Sequence, residues 1–364
     1  MNRRHSDPGP LTRRQALALM SAGAGVAAFS ADLFAQKTPS FPRGAVIRTL
    51  FKDVSPAAID GPILFHEHLS IELPPNLNPR PANAPPSPPA QPPATANVDL
   101  IVEEVKAAAK DGIRCIVDGG HPDMKRNLEN LKAIATRANM LVVASGGYYM
   151  ERVYPPRLAS QTEDQIAGDL ASEAAASRYG AFGEIGENAD AQMSDLERKI
   201  FRAVGKAHLR TNLPVFTHNA YGTGPHVPKD AGLHQLDVLE SVGVKPERIA
   251  IGHTCCLDDP PAEIIKAIAK RGAYVGFDRV TGGRVPDEGK IRMLLAFLEA
   301  GFVNRLLLSS DSTGARTLDA PAYTRTTSGF VPKLRAAGIG DDTIRTILVD
   351  NSRRFLAFVP KQFS

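Results

Sequence analysis

The chain has 364 residues, a formal net charge of +4 and 43% hydrophobic residues. That apolar content supports one large core, and a single barrel of about 250 residues with additions fits the length; two ordinary domains are the alternative. No run of Lys and Arg is dense enough to follow a phosphate backbone, so nucleic acid is not an expected partner.

Residues 1–35 have the pattern of an export signal. Arg13 and Arg14 precede an uncharged run from Gln15 to Ser30 that is rich in Ala, Gly and Leu. A basic start before a weakly hydrophobic stretch is typical of signal peptides, and the paired arginines resemble a bacterial twin-arginine signal. An ordinary secretory signal is the alternative. We therefore expect a periplasmic or secreted protein, with its mature domain at 36–364 and no membrane association after the signal is removed.

After the signal, short apolar runs rich in β-branched residues alternate with longer helical patterns. This alternation is typical of a parallel sheet built from βαβ units. Eight strands are predicted, ending near Phe65, Asp118, Ser145, Glu184, His218, His253, Asp278 and Ser310. Helices are predicted at Val98–Lys110, Leu128–Ala138, Asp164–Tyr179, Asp195–Arg210, Leu233–Val242, Ala262–Lys270 and Gly289–Ala300. Eight strand–helix units predict an α/β fold, the (β/α)8 TIM barrel, with a short N-terminal β-hairpin at 43–58 across one end.

A Pro-rich insertion at 74–97 interrupts the alternation after the first strand. It has ten prolines between Pro74 and Pro93. Proline at this density excludes regular helix and central strand. A loosely packed insertion is the expectation, and a lid over the barrel mouth is the alternative.

The chain has three cysteines, Cys115, Cys255 and Cys256. They are too few and wrongly spaced for a disulfide framework or a structural zinc site. A disulfide between adjacent cysteines closes a strained ring, so Cys255 and Cys256 are expected as free thiols.

Side chains that bind metals follow several of the predicted strands. The first strand ends in His66-Glu67-His68, and residues two apart in a strand project to the same side, so both histidines can share one ion. An isolated H-x-H is weak evidence, but four more strands end in one candidate ligand each: Glu184, His218, His253 and Asp311. Barrel enzymes place their chemistry at these carboxyl ends. Six such residues at matching positions predict a metal centre.

The order H-x-H, strand-four carboxylate, His, G-H and S-x-D resembles the phosphotriesterase family of the amidohydrolase superfamily, from about Gly44 to the Asn351–Leu356 ending. The resemblance implies that His66, His68 and Asp311 hold one divalent ion, that His218 and His253 hold a second, and that Glu184 bridges them. Glu187 is the rival carboxylate. Some family branches use a carboxylated lysine as the bridge, whereas this chain is similar to branches with Glu in a G-E-I-G segment.

Two such ions share a water and lower its pKa to about 7, so that a metal-bridging hydroxide attacks the substrate. Asp311 is placed to take the proton and pass it to the leaving group. His and carboxylate ligands suit Zn²⁺, with Mn²⁺, Co²⁺ or Fe²⁺ as alternatives.

Two departures from the family bear on the substrate. The proton-relay Asp and His of the phosphotriester-cleaving members correspond here to Cys256 and Arg279, while Gly276–Arg279 resembles the lactone-cleaving branch. Arg279 and Tyr149 are therefore expected to bind substrate, with Tyr148 as the alternative tyrosine. The resemblance implies a hydrolase of small molecules (lactones, carboxyl esters or related electrophiles), and a homodimer is the assembly that it suggests. A true phosphotriesterase, or a metal-containing binding protein without turnover, is the alternative.

Overall fold

The computed structural model of the chain describes residues 39–74, 77, 92–188, 192–221, 227–280, 285–316 and 320–361. The predicted signal at 1–35 lies outside the described residues and stays a prediction, as does most of the Pro-rich insertion. At the end of that insertion Ala94–Ala96 forms one 3-10 turn, and Thr95 Oγ1 donates to the Ile71 carbonyl at 2.6 Å.

Eight parallel strands form one sheet in which each strand pairs with its neighbour along the chain. Two short antiparallel strands precede them, β1 (Ile47–Arg48) and β2 (Asp53–Val54). The sheet comprises β3 (Ile63–Glu67), β4 (Cys115–Asp118), β5 (Leu141–Gly146), β6 (Ala181–Gly186), β7 (Val215–His218), β8 (Ile249–Ile251), β9 (Tyr274–Phe277) and β10 (Leu306–Leu308). The predicted barrel and hairpin are confirmed.

Helices connect the strands and cover the outside of the sheet. They are α1 (Val98–Lys110), α2 (Leu128–Ala138), α3 (Glu163–Ala176), α4 (Asp195–Thr211), α5 (Ala231–Glu240), α6 (Glu263–Lys270) and α7 (Asp287–Glu299). After β10 come α8 (Val331–Ala336), α9 (Asp341–Arg345) and α10 (Ser352–Leu356), with π-helical segments at Arg325–Phe330 and Thr346–Asn351.

Local signals set where the helices start. The Asn97 side chain accepts from the Leu100 N–H at the start of α1, and Ser194 and Glu197 form a capping box at the start of α4, which satisfies amide groups that a helix leaves unpaired. Within the described residues, no helix combines the length and apolar character needed to cross a bilayer.

Apolar side chains fill the barrel at the end where the strands begin. Its buried cluster includes Ile63, Phe65, Val117, Phe216 and Leu307. Ile47 of the hairpin and Phe355 of α10 pack against the same cluster, so the hairpin covers the end opposite to the candidate ligands. The carboxyl ends of the strands are left for polar side chains.

Glu67 joins the first and last strands of the barrel. Its carboxylate is fully buried and accepts from the Ser309 hydroxyl at 2.7 Å and from the backbone N–H groups of Ser310 (2.8 Å) and Ser312 (2.7 Å). Beside it, the Asp311 N–H donates to the His66 carbonyl at 3.2 Å. This seam, where the first strand of the barrel meets the residues after the last strand, therefore brings His66, His68 and Asp311 to one place.

We predict that Glu67→Gln lowers the free energy of unfolding by about 2 kcal/mol or more, because the amide cannot accept from all the buried donors that the carboxylate serves. Urea unfolding followed by circular dichroism measures this. A Glu103→Gln variant, changed on an exposed face of α1, is the control, and equal stability of the two variants would contradict the role given to Glu67.

Candidate metal centre

All six side chains predicted as ligands meet at the carboxyl end of the barrel. In three groups of side chains, the candidate ligand atoms lie within 4.8 Å of one another, and two of these groups consist of predicted ligands: His66, His68, Glu184 and Asp311 form the first, and Glu184, His218 and His253 form the second. The third joins His66 and His253 to Asp278. Five of the six residues are buried, and the side chain of the sixth, Asp311, is 6% exposed. Among the described residues the rival Glu187 belongs to none of these groups.

Glu184 is common to both groups, and its two carboxylate oxygens face different histidines. Oε2 lies 3.5 Å from His66 Nε2 and 3.3 Å from His68 Nε2. Oε1 lies 2.6 Å from His218 Nδ1 and 3.0 Å from His253 Nε2. A carboxylate placed in this way can bind one cation through each oxygen.

The backbone is irregular where it carries the central ligands. The strand register shifts by one residue between Leu64 and Glu67 in β3 and between Phe182 and Ile185 in β6, and such a bulge re-aims the side chains beside it. Only glycine fits at position 183, just before Glu184. Its φ of +149° is rarely adopted by residues with a side chain, and a Cβ there would lie 2.4 Å from the Phe216 ring.

Two candidate ligands occupy left-handed backbone conformations. His253 has φ +54° and Asp311 has φ +49°. Residues other than glycine hold such conformations at a cost of about 1–3 kcal/mol, and those positions concentrate at functional sites.

Asp278 orients one histidine from each group, and the sequence analysis did not assign it this role. Its Oδ2 lies 2.9 Å from His66 Nδ1 and its Oδ1 lies 3.0 Å from His253 Nδ1. A carboxylate that accepts from Nδ1–H leaves Nε2 with a lone pair, which is the tautomer that binds metal. The sequence does carry one signal of this role: Asp278 lies one residue beyond β9, and the candidate ligands likewise lie at strand ends.

The centre concentrates negative charge in a buried place. Burial alone would raise the pKa of Glu184, but the surrounding histidines outweigh burial and hold it well below its usual range. Burial alone would likewise lower the pKa of His68 and His253, whereas the neighbouring carboxylates raise both values to about 9. Burial lowers the pKa of His218 to about 4. Without a cation, the centre therefore keeps protons on His68 and His253, which balance the carboxylates, and leaves His218 neutral.

Several features fit divalent cations at this place. His66 Nε2 is buried without a hydrogen-bond partner although it points toward Glu184 and Asp311. His253 Nε2 and His218 Nδ1 lie 2.8 Å apart, so at most one of them can carry a proton between them. Imidazole nitrogens and carboxylate oxygens in two groups of three or four suit Zn²⁺ and similar ions.

The two residues expected to bind substrate lie beside this centre. Tyr149 lines the cavity above it, and its ring packs edge-on against His218 with centroids 4.8 Å apart. Arg279 lines the same cavity, and its Nε donates to Asp311 Oδ2 at 2.6 Å. Tyr148 instead accepts from Arg157 at 3.1 Å.

The two adjacent cysteines also lie beside this centre. Cys255 and Cys256 are buried free thiols in the turn after His253, as expected. The Arg279 N–H donates to Cys255 Sγ at 3.2 Å, which ties this turn to the end of β9.

Comparisons with known proteins agree with this arrangement. The model of the phosphotriesterase family matches residues 47–356. The chain is 30% identical to the phosphotriesterase homology protein of Escherichia coli K12 over 81% of this chain and 97% of that protein. A crystal structure of the phosphotriesterase homology protein from Escherichia coli, with phosphate in its active site, has a TM-score of 0.71 at 26% identity and covers 82% of this chain and 99% of that chain.

Relatives with named activities are more distant. The chain is 25% identical to an aryldialkylphosphatase of Saccharolobus solfataricus, over 70% of this chain and 84% of that protein. It is 23% identical to an N-acetyltaurine hydrolase of Xenopus tropicalis, over 72% of this chain and 78% of that protein. The fold, the ligand cluster and the matched length agree, and the chain therefore belongs to the phosphotriesterase family of binuclear metal-dependent hydrolases.

Proposed function

We propose that this protein hydrolyses acyl compounds (lactones, carboxyl esters or related acyl electrophiles) with two divalent ions, preferentially Zn²⁺, bound on either side of Glu184. The observation that carries the proposal is the division of the Glu184 oxygens between two histidine pairs at 2.6–3.5 Å. His66, His68 and Asp311 would hold one ion, and His218 and His253 the other.

Two bound ions would acidify a water and polarise the acyl oxygen of the substrate. In the reaction, the oxygen of one water bonds to the acyl carbon while the bond from that carbon to the leaving oxygen or nitrogen breaks. The water proton goes to the leaving atom. Asp311 is the candidate carrier, because its carboxylate lies at the centre and faces the cavity.

Arg279 keeps Asp311 ionised and in place. Burial alone would raise the pKa of Asp311, but the guanidinium at 2.6 Å and the nearby histidines hold it well below its usual range. Tyr149 lines the same cavity, with its hydroxyl 3.4 Å from His218 Nδ1, and would contact the acyl part of the substrate.

The residues at the relay positions support acyl cleavage over phosphotriester cleavage. Cys256 and Arg279 stand where the resemblance implies Asp and His in phosphotriester-cleaving members. Arg279 cannot serve as a neutral base at any ordinary pH. A phosphotriesterase remains the second candidate, since the aryldialkylphosphatase is a relative.

The purified protein should contain two metal ions per chain and cleave lactones or aryl esters faster than a phosphotriester. Elemental analysis and turnover of the three substrate classes, before and after chelation and after metal is restored, test this. Faster phosphotriester turnover would favour the second candidate, and a metal-loaded protein with no turnover would favour a binding protein.

Glu184→Gln should lose metal and at least about 100-fold in hydrolysis, because a neutral amide cannot bridge two cations. The matched control is Glu187→Gln, which changes a buried carboxylate three residues away and should keep both metals. Activity should also be indifferent to added bicarbonate, because no lysine must be carboxylated. Full activity in Glu184→Gln, or a bicarbonate requirement, would contradict Glu184 as the bridge.

Asp278→Asn should weaken metal binding about 10- to 100-fold, because the amide NH₂ opposes one of the two Nδ1–H donors. Competition with a chromophoric chelator measures the affinity. Asp123→Asn is the matched control, since Asp123 Oδ1 lies 2.9 Å from the Nδ1 of His121, outside both ligand groups. Equal affinities in the two variants would exclude the orienting role of Asp278.

Metal affinity should rise as the pH rises from 6 to 8. The pKa values of His68 and His253 are raised to about 9 in the metal-free protein, so each must lose a proton before it binds an ion. Each such proton contributes about tenfold in affinity per pH unit below its pKa. Calorimetry in buffers of different ionisation enthalpy should detect proton release on binding, and no proton release would contradict this account.

A further inference from the structure

The cavity above the metal centre has two chemically different sides. Its volume is about 350 Å³, at the small end for ligand sites. Ile71 and Leu73, which follow β3, and Met124, which follows β4, form an apolar side together with Tyr149 after β5. Arg279 follows β9 and Arg325 follows β10, so both arginine side chains come from the last strands of the barrel and form the cationic side of the cavity.

Arg325 has unused hydrogen-bonding capacity in this cavity. Its Nη2 donates to the Ala315 carbonyl, but its Nε is buried and has no partner among the described residues. Among the described residues Arg325 forms no ion pair, whereas Arg279 pairs with Asp311 and Arg316 pairs with Glu104. An arginine with free hydrogen-bond donors beside a cavity favours an anionic ligand there.

The segment that carries Arg325 is fixed to the barrel. Glu104 of α1 is 1% exposed, and its carboxylate accepts from Arg316 Nε at 2.7 Å and from the Ala322 N–H at 2.6 Å. Tyr323 donates its hydroxyl to the His68 carbonyl at 2.7 Å. These bonds hold the start of the π-helical segment against the metal centre, so Arg325 is positioned before a ligand arrives.

The charges of the loaded site favour an anion. Two divalent ions bring four positive charges and the two arginines bring two more, against three carboxylates at Glu184, Asp278 and Asp311. Even with a hydroxide present, the site keeps a positive excess. In a cavity that is partly shielded from water, such an excess attracts an anionic ligand.

We propose that the substrates carry a carboxylate or sulfonate group that Arg325 binds, with Arg279 assisting, while a short apolar acyl part lies against Ile71, Leu73 and Met124. This inference rests on the proposed function and deepens it by naming the substrate class. The scissile acyl bond then lies over the metal centre, between the apolar and the cationic sides.

Binding is measured first, because it does not depend on turnover. Butane-1-sulfonate and the neutral butyl methyl sulfone are titrated into the metal-loaded protein by calorimetry; sulfonate is chosen because it is a poor metal ligand. The sulfonate should bind about tenfold tighter or better, as a charged hydrogen bond provides. Arg325→Gln should remove this preference, and Arg325→Lys should keep part of it.

Arg292→Gln is the matched control, because it removes a charge from an exposed position on α7. It should leave the sulfonate preference unchanged. Circular dichroism establishes that each variant is folded. An equal affinity of the wild-type protein for the two probes, or an unchanged preference in folded Arg325→Gln and Arg325→Lys, would overturn the anion site.

Turnover of matched substrates separates this inference from the proposed function. N-acetyl-β-alanine and its carboxamide form an amide pair, and 4-acetoxybutanoate and its carboxamide form an ester pair. The ratio of kcat/KM for the anion over the neutral compound should exceed about ten and fall toward one in Arg325→Gln through KM. Cleavage without anion preference overturns the anion site alone; sulfonate binding at Arg325 with no cleavage of any acyl compound contradicts the proposed function alone.

Discussion

The burial of Glu184 among histidines and other carboxylates is the constraint on which the rest of the structure depends. A buried carboxylate is stable only when it is paired with opposite charge. Here Glu184, Asp278 and Asp311 share one small volume, and the neighbouring carboxylates raise the pKa values of His66, His68 and His253, so that these three imidazoles compensate the charge by keeping protons. Burial instead lowers the pKa of His218 to about 4. Divalent cations would balance the carboxylate charge at higher charge density. Protonated imidazoles supply only part of the positive charge that two bound ions would bring.

The barrel supplies the positions that this charge arrangement needs. The ligands come from β3, β6, β7 and the residues after β8 and β10, which are far apart in sequence but adjacent at one end of the sheet. Glu67 closes the seam between β3 and the residues after β10 and so fixes three ligands relative to one another. The apolar cluster at the opposite end keeps the strands in register while the polar end carries strain at His253 and Asp311.

Much of this could be predicted from the sequence because its signals are local. Strand and helix alternation predicted the barrel, and the bounds of α1 and α2 agree with the prediction because each helix begins after a capping Asn. The six candidate ligands could be found because each follows an apolar strand. Their meeting at one place followed from the barrel itself.

Other features depend on contacts between distant segments and had no local signal. Asp278 was noted only as the end of a strand, and its contact with both His66 and His253 depends on side-chain directions across three strands. Arg325 lies in a π-helical segment, whose periodicity is neither that of a strand nor that of an α-helix. The register shifts in β3 and β6 also move side chains away from the simple alternation of a strand.

The most direct test of the central claim is anomalous X-ray diffraction from crystals of the zinc-loaded protein, recorded on both sides of the zinc absorption edge. The account predicts two zinc peaks per chain, one beside each carboxylate oxygen of Glu184, with His66 and His68 at one and His218 and His253 at the other. A single peak, or two peaks without Glu184 between them, would contradict it.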